Sequence, residues 1–62
     1  MTAEDALARA EVLLERLEET RAKLDATEDP DVVIALLGDL STLAKDVHGE
    51  LERAKREADA GA

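Results

Sequence analysis

The sequence predicts an all-α protein, an antiparallel two-helix hairpin that associates into a helical bundle or coiled coil. Three observations predict it. Apolar residues recur at helical spacing through both halves, the single proline stands at the midpoint, and the apolar stripes on its two sides are out of phase. At 62 residues the chain forms one domain at most, spanning 1–62.

The first helix is expected over about residues 3–26. Ala3, Leu7, Ala10, Leu14, Leu17 and Leu24 step by threes and fours along one stripe, interrupted only at Arg21. Ala6 and Leu13 widen the stripe on one side to the three-in-seven face of a packed helix. Thr2 followed by Asp5 has the spacing of a capping box, with Asp in place of the usual Glu. Asp5–Arg9 and Glu19–Lys23 have the acid-first, i,i+4 spacing that stabilises a helix by about 0.2–0.5 kcal/mol per pair.

The second helix is expected over about residues 30–59. Val33, Leu37, Leu40, Ala44, Val47, Leu51, Ala54 and Ala58 form its stripe, flanked by Leu36 and Leu43, with Gly61 as its C-terminal cap. Between the stripes lies "ATEDPDVV", residues 26–33. Pro30 disfavours helical geometry at Asp29 and suits the first position of a new helix, where its missing N–H costs nothing. Asp29 can cap that helix and Asp31 meets the positive end of its dipole. A calcium loop is the functional alternative for these acids, but proline stands where such a loop needs flexibility.

Phase excludes one long kinked helix. Continuing the first stripe past Leu24 lands on Glu28, Asp31, Ala35, Gly38, Thr42, Lys45, Gly49 and Glu52, a polar and glycine-bearing line. The chain must turn. In the resulting hairpin, Glu4 and Asp5 are expected near Arg53, Lys55 and Arg56, an arrangement that suits both helix dipoles.

The apolar content is ten Leu, four Val, one Ile and many Ala, with no aromatic residue to add area. Two helices cover only part of each other's stripe, and a lone hairpin leaves Leu13, Leu36, Leu37 and Leu43 half in water. The expected interface residues are Leu7, Leu14, Leu17, Leu24, Leu36, Leu37, Leu40, Leu43, Val47 and Leu51. The expected partners are a second copy of the chain, the helices of a larger protein subunit, or both. Gly38, Ser41, Thr42, Lys45 and Gly49 form a low-profile stripe on the back of the second helix, open to close approach by another backbone or simply solvated.

Charge and composition exclude several classes of function. The net charge is −8, with ten acids and four bases in residues 1–31 and six and four in residues 32–62. Direct binding to a phosphate backbone needs the opposite balance. The chain has no cysteine, hence no disulfide and no thiolate metal site. The longest apolar run, residues 32–37, falls far short of the roughly 20 residues of a membrane span. The opening "MTAEDALARA" carries neither the basic nor the apolar region of a secretory signal, so a cytoplasmic location is expected.

Chemistry finds no foothold in the pattern. His48 is the single histidine, with Glu52 one turn on, too few ligands for a metal without copies from other subunits. The residue three before His48 is Lys45, so the Glu-x-x-His motif of di-iron bundles is absent. Ser41 lacks a histidine base at short range and a glycine elbow. Glu15 and Glu19 pair on a wet helix face, which offers no enclosed site for acid–base work. No cofactor is expected, and the chain reads as non-catalytic.

The segments "LLERLEETRAKLDA" (13–26) and "ALLGDLSTLAKDVHGELERAKREAD" (35–59) resemble the small subunit of exodeoxyribonuclease VII. Leu17-Glu18-Glu19, Lys23-Leu24-Asp25, Leu43-Ala44-Lys45 and Leu51-Glu52-Arg53-Ala54 carry the likeness, which covers residues 10–59. The chain differs where the family carries aromatics, near Ala10 and at Leu37, and where glycine and cysteine are usual, at Leu40 and Val47. The resemblance implies a cytosolic accessory subunit without catalytic residues. Several copies would bind the elongated helical region of a large subunit that degrades single-stranded DNA. A free-standing homodimeric four-helix bundle, acting as scaffold or adaptor, is the alternative. An RNA-binding hairpin dimer comes last, because Arg9, Arg16, Arg21 and Lys23 are outnumbered locally by acids.

Overall fold

The computed structural model describes residues 2–61 as two helices, α1 (Ala3–Ala26) and α2 (Pro30–Ala60), packed antiparallel along their lengths. The hairpin is a thin rod measuring 49 × 14 × 13 Å between Cα extremes. The all-α hairpin read from the sequence is the observed fold, with α1 as expected and α2 one residue longer than 30–59.

Each helix boundary has a local cause. At the start of α1 the capping box closes in both directions: the Asp5 N–H donates to the Thr2 hydroxyl and the Thr2 N–H to the Asp5 carboxylate, both at 3.1 Å. Thr27 ends α1 in extended geometry, its N–H donating to the Leu24 carbonyl at 3.4 Å. Asp29 then caps α2, its carboxylate accepting from the Asp31 N–H at 2.9 Å while its carbonyl accepts from the Val33 N–H at 2.9 Å. Pro30 occupies the first turn of α2, as its fixed φ and missing donor require. Gly61 caps the far end in right-handed geometry (φ −82°, ψ −10°), its N–H donating to the Glu57 carbonyl at 3.0 Å. This cap therefore does not use glycine's access to the left-handed region.

The seam between the helices is rotated by one position from the stripes drawn on the sequence. On α1 the inward line is Ala3, Ala6, Ala10, Leu13, Leu17, Thr20 and Leu24, all buried or half-buried. On α2 it is Val33, Leu36, Leu40, Leu43, Val47, Glu50, Ala54 and Glu57. Ala6 and Leu13, expected at the margin, are in the seam, while Leu7 and Leu14 are 45% and 47% exposed. Leu36 and Leu43 likewise replace Leu37 and Ala44.

The short Thr27–Asp29 connection explains the phase. It leaves little freedom to rotate either helix about its own axis, so the phase set beside Leu24 and Val33 runs to the open end. There, alanines at 6, 10 and 54 admit close approach of the two backbones. Thr20 is tolerated in the seam because its hydroxyl donates to the Arg16 carbonyl at 2.8 Å within the same helix. Among the described residues, no enclosed side-chain polar atom lacks a partner.

Glu50 is the second polar intruder. Its carboxylate, 14% exposed, accepts from the Arg9 guanidinium across the seam and from Arg53 on its own helix at 3.2 Å. Two arginines on one carboxylate offset the loss of its hydration. The charge contact between helices thus runs from a base on α1 to an acid on α2. The expected approach of Glu4 and Asp5 to Arg53, Lys55 and Arg56 forms no ion pair among the described residues. Asp5 is committed instead to its cap. The Thr2 N–H and then the Thr2 hydroxyl hold its carboxyl below the ordinary carboxylate range, with Arg9 adding a smaller attraction.

Candidate interaction surface

A seam of this composition buries very little. Among the described residues the buried side chains are Ala6, Ala10, Val47 and Ala54, and no large side chain is fully enclosed. The accessible surface is 4569 Å², whereas a globular chain of 6.7 kDa exposes about 3,900 Å². The hairpin therefore exposes roughly one-sixth more surface than a compact molecule of its mass.

Most of the exposed large apolar side chains lie on one side, Val12 and Val32 being the exceptions. With the seam fixed, the next positions outward on one edge of each helix are Leu7, Leu14 and Arg21 on α1, and Leu37, Ala44, Leu51 and Ala58 on α2. In an antiparallel pair these two lines lie on the same face of the hairpin. The Arg9–Glu50 bridge at one end and the turn at the other fix the register. Leu7 stands level with Leu51, Leu14 with Ala44 and Arg21 with Leu37. Leu37 and Leu51 are 51% and 47% exposed, and Ile34, further out on the same face, is 68% exposed.

Arg21 interrupts this apolar face and is tied down within α1. Its guanidinium donates to Glu18 at 3.0 Å and to Asp25 at 3.2 Å. The hydrogen bond to Glu18, then the charges of Glu18 and Asp25, raise its pKa further. With its charge answered on its own helix, its aliphatic stem can lie along Leu37.

The opposite face is mostly polar, with Val12 and Val32, 48% and 42% exposed, as its apolar exceptions. Arg9, Arg16 and Lys23 of α1 run beside Asp39, Asp46 and Arg53 of α2, along two shallow grooves. The first groove is also lined by Val12 and Gly49, and the second by Thr42. A methyl group built on Gly38 or Gly49 would meet nothing within 4 Å, so neither glycine is required by packing inside the hairpin. His48 faces Glu52 at 3.8 Å on the surface of α2. No group of three His, Cys, Asp or Glu side chains converges among the described residues. The i,i+4 pair Glu19–Lys23 does not close to ion-pair distance.

The ten residues predicted from sequence to form interfaces thus divide in two. Leu17, Leu24, Leu36, Leu40, Leu43 and Val47 line the seam of the hairpin. Leu7, Leu14, Leu37 and Leu51 face outward together. Sequence reasoning missed Glu50 and Thr20 as seam residues; the signal available was their seven-residue spacing from Leu43 and Leu13. No helix among the described residues is long and apolar enough to cross a membrane. Compared with known proteins, the chain matches no family model, no curated protein and no solved structure.

Proposed function

We propose that this chain is a non-catalytic helical interaction subunit whose working surface is the leucine-bearing face of the hairpin. The observation that carries this reading is the alignment of Leu7, Leu14, Leu37 and Leu51 on one exposed face. Among the described residues the seam beneath them buries three alanines and one valine and leaves its leucines half-buried. Fully burying a leucine contributes about 1.5–3 kcal/mol; with these four already about half covered, burying the rest contributes on the order of 3–6 kcal/mol, the low end of a small domain's stability. The hairpin and its complex form together, because the seam alone supplies too little burial to offset chain entropy.

Matching partners present leucine-rich helices: a second copy of this chain, or a larger helical subunit. The resemblance of residues 10–59 to the exodeoxyribonuclease VII small subunit supports the larger subunit, in a cytoplasmic assembly where that subunit holds the catalytic residues. The net charge of −8 weighs against direct contact with nucleic acid. Sedimentation equilibrium and far-UV circular dichroism on the same samples test the proposal. Helical content is expected to rise in step with associated mass. A fully helical single-copy species of 6.7 kDa at low concentration contradicts it.

A further inference from the structure

We infer that the leucine-bearing face is covered by a second copy of this chain, packed so that both turns lie at the same end of a four-helix bundle. This rests on the interaction-subunit reading and adds to it the occupant and the geometry.

Area is the first support. A face 49 Å long and two helices wide, about 20 Å, offers on the order of 1,000 Å² in projection. A standard interface buries about 800 Å² per partner. One copy of the face is therefore enough to cover another.

Charge is the second support, and it chooses the arrangement. On this face the outer rim of α1 carries Glu4, Glu11, Glu18 and Asp25, seven residues apart, all acidic. The matching rim of α2 carries Ile34, Ser41, His48 and Lys55, with no acid. Two stacked hairpins related by a two-fold axis have two choices. With the turns at opposite ends, α1 lies on the partner's α1. Whatever the axial shift, a rim of acids at seven-residue spacing, of which only Glu18 and Asp25 are offset by Arg21, then meets another such rim. With the turns at the same end, α1 lies antiparallel on the partner's α2. Glu4 then stands beside Lys55 of the partner subunit, Glu11 beside the partner's His48 and Glu18 beside the partner's Ser41. No like charges oppose along either rim, and each helix is antiparallel to both neighbours.

The absence of cysteine allows a direct test. Glu28, exposed in the turn, is changed to cysteine (Glu28→Cys) in the full chain and given a nitroxide label. Sedimentation confirms the mass, and pulsed electron–electron resonance reads the distance between labels. The expected result is a dimer with labels under ~30 Å apart, two helix spacings plus the tethers. Labels separated by the 49 Å length of the rod overturn the arrangement. A charge exchange gives a second reading. Lys55→Glu is expected to raise the dimer Kd roughly two- to tenfold, and Glu4→Lys in the same chain to restore it; failure of the rescue contradicts the pairing. A single-copy chain at all concentrations overturns the dimer itself. If that single chain is disordered, the interaction-subunit reading stands with another partner; if it is fully helical, both readings fall.

Discussion

The two faces of the hairpin share the same helices and the same heptad frame but carry opposite chemistry. One presents Leu7, Leu14, Leu37 and Leu51; the other presents Arg9, Arg16, Lys23, Asp39, Asp46 and Arg53. Long charged side chains on the second face keep their heads in water or, as Arg9 does, on Glu50, and cover their own flank of the seam. Leucines on the first face have no polar end to leave in solvent. The line of residues that closes the hairpin and the line of leucines left exposed are therefore separate. They lie one position apart in sequence.

The same charge placed on each face gives the largest expected difference between them. Leu14→Glu is expected to abolish association and most helicity, since every copy of the complex loses a buried leucine and gains a buried carboxylate. Arg16→Glu on the polar face is expected to change stability by less than about 0.5 kcal/mol. Sedimentation and circular dichroism read both. Equal effects would mean that the two faces are not distinct. The next largest effect lies in the seam. Leu40→Ala is expected to cost about 2 kcal/mol, at the low end for core leucines because the site is only half-buried. Chemical denaturation measures it.

Glu50 sharpens the same comparison from the seam side. Glu50→Leu is expected to stabilise the hairpin by about 1 kcal/mol, because a part-buried ion pair rarely exceeds a well-packed apolar side chain in worth. Arg9 and Arg53, 41% and 44% exposed, are left in water rather than stranded. A lowered melting temperature would show that the bridge contributes more than apolar packing at this position. Smaller again are the glycines. Gly38→Ala and Gly49→Ala are each expected to raise helix stability by about 0.5–1 kcal/mol, since their added methyl groups meet nothing. Loss of assembly on either change would move the interface to the polar side.

The finest effect is in the cap of α1. The folded Asp5 carboxyl titrates below its ordinary value, so its stabilisation is complete above the unfolded-state pKa. It is lost as pH falls through the lower, folded value. The amide resonances of the first turn should therefore shift late in an acid titration, and Asp5→Asn should remove that step.

Much of the fold was legible in sequence because helix ends carry local chemistry. Thr2 with Asp5, and Asp29 with Pro30, each specify a boundary within a few residues, and each does so here. The rotational phase was not legible. A three-in-seven stripe contains two candidate seams, and apolarity alone selects Leu37, Ala44, Leu51 and Ala58 over a line holding Glu50 and Glu57. The short turn and the small alanines decide otherwise, and neither effect shows in a residue-by-residue reading. Glu50 was invisible for the same reason: its partner Arg9 lies 41 positions away, and only the folded register brings them together.

The melting temperature of the unmodified chain across a hundredfold range of concentration separates coupled folding and association from a hairpin that stands alone. If folding and association are one event, the midpoint rises by several degrees from the most dilute to the most concentrated sample, with helicity and mass lost together. A midpoint that does not move, with a cooperative transition at every concentration, would show that the hairpin is stable alone.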